Sequence, residues 1–127
     1  MRRSINVGGV RHINPIPAAS RIGNMVMSSV ISGKDPASGK LPETIEAQCA
    51  NMFGHVRAII EAAGGTPNDI IKMTVWLKDQ SRREALNAEW VKMFPDPASV
   101  PARHALPHLG EGNALVLCEF TAILAST

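Results

Sequence analysis

The sequence predicts one α+β domain over residues 1–127, in which two helices cover one face of a sheet of about six strands. Two segments repeat their apolar residues every three or four positions, which is the pattern of an amphipathic helix. Shorter segments before, between and after them alternate apolar and polar residues or are continuously apolar, which is typical of strands. The chain has 127 residues, 45% of them hydrophobic, so it can bury one sizeable core.

The first half of the chain contains one strand candidate and the clearer of the two helices. The segment IGNMVMSSVIS, residues 22–32, is the strand candidate, and KDPASGK after it has the proline and glycine of a tight loop. The helix is predicted over TIEAQCANMFGHVRAIIEAAGG, with Thr44 as its N-cap and Gly64-Gly65 as its end. Its apolar positions are Ile45, Cys49, Met52, Val56, Ile59 and Ala63.

The second half is predicted to continue with a strand, a helix and two strands. The segment IIKMTVWLKD is a mostly buried strand, one face of which holds Ile71, Met73, Val75 and Leu77. The second helix is SRREALNAEWVKMF, with a capping box formed by Ser81 and Glu84. The segments ARHALPHL, residues 102–109, and ALVLCEFTAIL, residues 114–124, are strands separated by turn glycines. We expect these last two strands to pair as antiparallel neighbours.

Composition and charge exclude several classes of function. The formal net charge is only +2 and the basic residues are scattered, so the chain lacks the basic patch that nucleic-acid binding requires. No apolar run approaches the ~18 residues that span a membrane, and no apolar segment follows Arg2-Arg3 as in an export signal. Two cysteines inside apolar patterns favour free thiols in a reducing compartment. We therefore expect a cytoplasmic protein that binds neither nucleic acid nor membrane.

Arg103 and Glu119 are charged residues in segments that otherwise resemble core. Glu119 is the only charge between Ala114 and Ala125, and Arg103 begins a short apolar stretch. A buried carboxylate is costly unless it is paired or lies at a wet pocket. If the last two strands pair, the two residues could form a structural ion pair. Alternatively, they line a pocket in which the arginine binds a substrate carboxylate and the glutamate handles water or a proton.

Three other sets of residues are assigned no role in a functional site. His104 directly follows Arg103, so in a strand its side chain should point to the opposite face. Trp76 and Trp90 fall on apolar positions and are interpreted as packing residues rather than stacking platforms. The histidines and cysteines show no metal-ligand spacing, so we expect no metal site.

The last strand predicts self-association. Both alternating sets of side chains in residues 114–124 are apolar, so both faces of that strand should be covered. Two helices can cover only one face of the sheet, and the other face needs a partner subunit. We expect a homo-oligomer rather than a monomer.

Four stretches of the sequence match motifs of a known family. They are EAQCANMFGHVRAIIEAAGGTPNDIIKMTVWLKD, the asparagine of LNAEW, the Pro-Ala-Arg of VPARHAL and the Glu-x-x-Ala-Ile of CEFTAI. On these motifs the chain resembles, over nearly its whole length, the Rid family of reactive intermediate deaminases, also called the YjgF family. The resemblance implies a chorismate-mutase-like, mostly antiparallel fold and a homotrimer with pockets at the subunit interfaces. It also implies hydrolysis of enamines and imines of the 2-aminoacrylate type to 2-oxo acids and ammonia, without a metal or an organic cofactor.

The resemblance further implies roles for four residues. Arg103 matches the family arginine that binds the substrate carboxylate, and Glu119 matches the glutamate that positions the attacking water. Asn87 matches a polar residue near the pocket, and Ser29 a serine on the strand before the loop. The expected partners are therefore a small carboxylate substrate and further copies of the chain itself.

Three positions depart from the family pattern. The chain has no tyrosine, and Asn14-Pro15-Ile16 stands where the family has Gly-Pro-Tyr. Ser29-Val30-Ile31 replaces Ser-Gly-Gln, and Ala105 replaces a cysteine two residues after the arginine. These changes suggest a different unsaturated amino-carboxylate as substrate. The alternatives are a specialised aminomuconate-type deaminase of aromatic degradation and a non-catalytic trimer that binds small carboxylates.

Overall fold

The computed structural model, which describes residues 1–10, 12–108, 110 and 112–125, has two helices packed on one face of a seven-stranded sheet. The helices are α1, Ile45–Ala62, and α2, Arg83–Met93. The strands are β1 Arg3–Ile5, β2 Ala19–Ile22, β3 Met25–Ser28, β4 Ile31–Ser32, β5 Ile70–Leu77, β6 Ala102–Pro107 and β7 Val116–Ile123. Short 3-10 turns precede β5 and α2. The predicted fold class is confirmed, and neither described helix is long and apolar enough to cross a membrane.

The strands follow the order β1-β2-β3-β7-β5-β6 across the sheet, and β4 pairs with β7 beyond the end of β3. All neighbouring strands are antiparallel except β5 and β6, which are parallel. The chain passes from β5 to β6 through α2, and a helix is the usual connection between parallel strands. The predicted pairing of the last two strands is therefore wrong, because β5 lies between β6 and β7. Leu109, at the end of the predicted strand, lies outside the described residues.

Helix α1 forms where its pattern predicted it. The hydroxyl of Thr44 accepts a hydrogen bond from the backbone N–H of Ala47 at 3.2 Å, which caps the first turn. The chain leaves the helix at Gly64, whose φ of +95° is strained for any residue with a Cβ atom. The predicted apolar positions of the helix are all buried.

The strand candidate over residues 22–32 is divided by two turns. Gly23 and Asn24 form the hairpin turn between β2 and β3, and Gly23 has the positive φ, +57°, that such a turn requires. Ser29 and Val30 then separate β3 from β4. The single strand predicted here is therefore wrong, because the glycine inside its apolar pattern was a turn signal.

Two smaller predictions in the second half are also wrong. The backbone N–H of Ser81 donates to the carboxylate of Asp79 at 3.0 Å, and Glu84 bonds Arg82, so no Ser81–Glu84 capping box forms. In β5 a register shift at Ile71 reverses the alternation of side chains, and Ile71 is 52% exposed. The rest of the predicted buried face of β5 is confirmed.

The core lies between the helices and one face of the sheet. Its fully buried strand residues are Val26, Met73, Val75, Leu77, Val116, Cys118 and Ala122. The opposite face of the sheet, called the open face from here on, carries the alternate residues of the same strands. It includes the exposed side chains of Met25, Met27 and Ile123 and the half-buried Trp76 and Leu117. The apolar character predicted for both faces of β7 is confirmed, and an apolar face of this kind favours association with a partner.

Buried Gln48 ties the start of α1 to two loops. Its amide nitrogen donates to the carbonyl oxygens of Pro42 at 2.7 Å and Asn113 at 3.0 Å, and its amide oxygen accepts from the N–H of Leu115 at 2.8 Å. Gln48→Ala leaves these backbone groups unpaired in the interior and opens a cavity. We expect the free energy of unfolding, measured by urea denaturation, to fall by about 2–4 kcal/mol.

The matched control is Glu61→Ala on the exposed side of the same helix, for which we expect a change below about 0.5 kcal/mol. Equal destabilisation by the two substitutions would contradict the structural role given to Gln48.

Candidate active site

Arg103 lies on β6, at the edge of the sheet next to α2. The register pairs it with Met73 of β5, whose side chain is fully buried beneath the helices, so Arg103 points to the helix-covered face. Its guanidinium carbon lies 4.9 Å from the centroid of the Trp90 ring on α2. A cation over an indole face gains about 0.5–2 kcal/mol, depending on how far it is removed from water. Trp90 therefore holds the Arg103 side chain beside α2.

Arg103 forms no ion pair with any described carboxylate. The ion pairs among the described residues join Arg82 to Glu46 and Glu84, and Lys92 to Glu89. Partial burial, and then the positive charge of Arg83, lower the pKa of Arg103 below its usual value. Both causes disfavour the charged form, and a bound anion offsets them because an opposite charge favours that form. The position therefore suits an acidic ligand.

Asn87 lies on the same side of α2 as the residues that approach Arg103. It stands four residues after Arg83 and three before Trp90, a spacing that places all three on one helix face. Its side chain is exposed and carries both a donor and an acceptor. The structure thus brings Asn87 and Arg103, two of the predicted site residues, to the same surface. We call Arg103, Asn87, Trp90 and Arg83 the α2 group.

Glu119 lies on β7 and points to the open face. It pairs with Thr74 of β5, while its chain neighbours Cys118 and Phe120 point into the core. The side chain is half-buried and forms no ion pair with a described residue. Glu119 is therefore a carboxylate on an apolar surface that is free to interact with a proton, a water molecule or a ligand.

Ser29 lies in the short segment between β3 and β4, opposite the middle of β7. Its hydroxyl donates to the carbonyl oxygen of Pro17 at 2.7 Å, which anchors the preceding loop. The hydroxyl of Ser28 accepts from the N–H of Phe120 at 2.9 Å and so fixes this segment beside Glu119. The structure therefore places Ser29 close to Glu119 along the sheet, with its own hydroxyl engaged in a backbone contact.

Val30 follows Ser29 and borders a cleft at the same end of the sheet. Val30 is 42% exposed, and the next residue, Ile31, already pairs with Cys118 of β7. The cleft has a volume of about 400 Å³ and is also lined by Ile16, Lys34 and His55. We call Glu119, Thr74, Ser29 and Val30 the β7 group, of which Val30 lines the cleft.

Arg103 and Glu119 point to opposite faces of the sheet within one chain. β5 separates their strands, and its adjacent residues Met73 and Thr74 pair with Arg103 and Glu119 respectively. Adjacent residues of a strand face opposite sides, so the two charged groups do not meet. The structural ion pair that the sequence left open is therefore absent, and so is the expected approach across the glycine turn.

Part of the α2 group was not predicted from the sequence. Trp90 was interpreted as a packing residue, and it does pack against Phe94 with ring centroids 4.8 Å apart, but it also supports Arg103. The three-residue spacing between Asn87 and Trp90 places both on one helix face, and this spacing could have indicated that Trp90 lies at the site. The position of His104 is confirmed: it pairs with Thr74 and so lies on the face opposite Arg103.

The described residues offer neither a metal cluster nor a reactive thiol. No group of three or more His, Cys, Asp or Glu side chains among them is placed to hold a metal ion. Cys49 and Cys118 are both buried and unpaired, and burial, with smaller effects of Glu89 and Glu46, raises the pKa of Cys49 to about 12. A thiol nucleophile needs a lowered pKa and access to solvent, so neither cysteine is a candidate.

Comparison with known proteins gives the relatives of this chain. A family model described as Endoribonuclease L-PSP matches residues 11–111. A RutC family protein of Haemophilus influenzae is 40% identical over 84 residues, which cover 66% of this chain and 65% of that protein. A 2-iminobutanoate/2-iminopropanoate deaminase of Escherichia coli K12 is 35% identical over 92 residues, 72% of each chain.

Solved structures agree over nearly the full length. RidA from the Antarctic bacterium Psychrobacter sp. superposes with a TM-score of 0.88 at 31% identity, covering 96% of this chain and 99% of that one. The YjgF gene product of Escherichia coli superposes with a TM-score of 0.86 at 27% identity, covering 95% and 98%. The motifs, the fold and these relatives lead to one conclusion: the chain belongs to the Rid, or YjgF, family.

Proposed function

We propose that the chain is an imine deaminase that hydrolyses reactive 2-imino acids, and the enamines from which they form, to 2-oxo acids and ammonia. Water adds to the C=N carbon and one of its protons passes to the nitrogen; the carbon–nitrogen bond of the carbinolamine then breaks, its hydroxyl proton also passes to the nitrogen, and ammonia leaves. The observation that carries the proposal is Arg103, a half-buried guanidinium held over Trp90 with no described carboxylate to neutralise it. Relatives named as imine deaminases support it.

Arg103 suits the carboxylate of a 2-imino acid. A guanidinium presents two parallel N–H donors, which match the two oxygens of a carboxylate. Stacking on Trp90 orients this fork before the substrate arrives, so less side-chain entropy is lost on binding. Binding by Arg103 therefore fixes the carbon next to the carboxylate, which is the C=N carbon, in one position. Asn87 on the same surface adds a further polar contact to the substrate.

Glu119 suits the water and its proton. Its carboxylate is half-buried and forms no ion pair with a described residue, so it can accept a hydrogen bond from a water molecule beside it. Glu119 can therefore act as the general base when water attacks, and return the proton to the nitrogen as ammonia leaves. The Ser28 hydroxyl fixes the segment beside it, the Ser29 hydroxyl anchors the preceding loop, and the reaction requires neither a metal nor an organic cofactor.

The active pocket in this proposal joins two copies of the chain. Arg103 and Glu119 point to opposite faces of one sheet, so a pocket that contains both needs Arg103 from one copy and Glu119 from another. Among the described residues β6 pairs only with β5, which leaves its outer edge available to a neighbour. The exposed apolar residues of the open face are the surface that a homotrimer covers. A cytoplasmic location fits the two unpaired thiols.

The direct test is ammonia release from an imine generated in the assay. An amino-acid oxidase supplies 2-iminobutanoate or a related imine, and the purified protein should accelerate ammonia release above the spontaneous rate. An aminomuconate tested in parallel identifies the specialised alternative. Binding of 2-oxo acids without acceleration of any imine would instead indicate a non-catalytic carboxylate-binding protein. Salt-sensitive RNA cleavage with no effect on imines would reject the deaminase proposal in favour of a ribonuclease.

A further inference from the structure

The α2 group contains a second arginine that forms no ion pair with a described carboxylate. Arg83 is the first residue of α2, and its guanidinium donates to the side-chain oxygen of Gln80 at 2.7 Å. Arg83, Asn87 and Trp90 follow each other at spacings of four and three residues and so share one helix face. Arg103 lies over the last of them. One surface therefore presents the guanidinium groups of Arg83 on α2 and Arg103 on β6, and Asn87 lies on α2 between Arg83 and the Trp90 ring that supports Arg103.

The acidic residues of this part of the chain are engaged elsewhere. Their bonds join Asp79 to Ser81, Glu84 to Arg82, and Glu89 to Lys92. The neighbouring Arg82 shows the contrast, because it forms ion pairs with both Glu46 and Glu84. The two arginines of the α2 group thus have no partner among the described carboxylates, while the arginine beside them has two.

This charge distribution is unfavourable for the unliganded protein. Arg83 lies at the N-terminal end of α2, where the helix dipole is itself positive and disfavours a cation. The positive charge of Arg83 also acts on Arg103: after partial burial, it is the second cause that lowers the pKa of Arg103. A ligand with a single carboxylate neutralises only one of the two charges. A ligand with two carboxylates neutralises both and is also attracted by the helix dipole.

We propose that the substrates of this site are dicarboxylic 2-imino acids, whose second carboxylate is bound by Arg83. This inference rests on the deaminase function proposed above and names its substrate class. Arg103 binds the carboxylate next to the C=N carbon, Asn87 donates to the substrate between the two arginines, and Arg83 binds the distal carboxylate. The chemistry is unchanged: water adds to the C=N carbon, the carbon–nitrogen bond breaks, ammonia leaves, and a 2-oxo dicarboxylate is released.

The test compares two products that share a chain length and differ in the distal carboxylate. Binding of 2-oxoglutarate and 2-oxopentanoate is measured by isothermal titration calorimetry at low ionic strength. We expect the wild-type protein to bind 2-oxoglutarate about tenfold more tightly, a preference that weakens as salt is added. Arg83→Ala should reduce this preference to near unity, and Arg83→Lys should restore part of it. The matched control, Lys92→Ala, removes the same charge from the other end of α2 and should keep the preference.

Rates with the imines of glutamate and norvaline separate this inference from the function on which it rests. Hydrolysis of both imines, with equal or better use of the norvaline imine and no effect of Arg83→Ala on the ratio, would overturn the dicarboxylate inference and leave the deaminase intact. Hydrolysis of neither imine, with an Arg83-dependent preference for 2-oxoglutarate, would overturn the deaminase and keep the dicarboxylate site. Loss of the oligomer in Arg83→Ala without a change in preference would assign Arg83 to a subunit contact and reject the inference.

Discussion

Arg103→Ala should lower kcat/KM for imine hydrolysis by about 100-fold or more, because it removes two charge-assisted hydrogen bonds worth roughly 1.5–3 kcal/mol each. The melting temperature should change little. In the free protein Arg103 forms no ion pair with a described residue, and its contact with Trp90 is a partly exposed one. The loss should appear mainly in KM for the imine and in the affinity for 2-oxo acids, since Arg103 binds the carboxylate in ground state and transition state alike.

Two further variants distinguish substrate binding from a structural role of Arg103. Arg103→Lys keeps the charge but loses the planar fork and the stacking, so we expect about a tenfold loss. Arg57→Ala removes an exposed arginine from α1 and should leave both rate and stability near those of the wild type. If the Arg103→Ala protein is unfolded, or if it keeps full activity, the role of Arg103 in binding the substrate carboxylate would be contradicted.

Glu119→Gln should reduce kcat by about 100-fold, because a general base typically contributes 10²- to 10⁴-fold and the amide cannot accept the proton. The substitution preserves the shape of the side chain and the pairing of β7, so the fold and the affinity for 2-oxo acids should be retained. Steady-state kinetics at saturating imine, together with product binding by calorimetry, separates the effect on kcat from binding.

The control for Glu119→Gln is the same substitution at an exposed glutamate. Glu61→Gln on α1 makes the same change in charge away from the open face and should not alter kcat. If Glu119→Gln keeps the wild-type kcat, the water must be activated by another group. His104 would be the first to examine, since it lies on the same face and also pairs with Thr74.

The sequence predicted the helices better than the arrangement of the strands. The pattern in α1 spans eighteen residues with a cap and a glycine stop, and each signal is local, so its position could be predicted closely. Strand pairing depends on contacts distant in sequence. Two late strands separated by glycines are typical of a hairpin, and only the parallel β5–α2–β6 connection shows that β5 lies between them.

The candidate site was predicted through motifs rather than through periodicity. Pro-Ala-Arg and Glu-x-x-Ala-Ile pointed to Arg103 and Glu119. Periodicity alone left open an ion pair between these two residues, and they do not form it because they point to opposite faces of the sheet. The roles of Trp90 and Arg83 could not be predicted in the same way. They depend on which face of α2 meets the edge strand β6, and that is set by tertiary packing.

If Arg103 of one copy and Glu119 of another complete one pocket, as proposed, oligomers that mix two inactive variants should regain activity. At imine concentrations below KM, the Arg103→Ala and Glu119→Gln proteins should each be nearly inactive alone, and the two are refolded together in equal amounts. In random trimers about three quarters contain both variants, each with one interface where an intact Arg103 meets an intact Glu119, so about a quarter of the wild-type activity should return. Recovery of that size supports a shared pocket, whereas activity no higher than that of the separately refolded variants would contradict it.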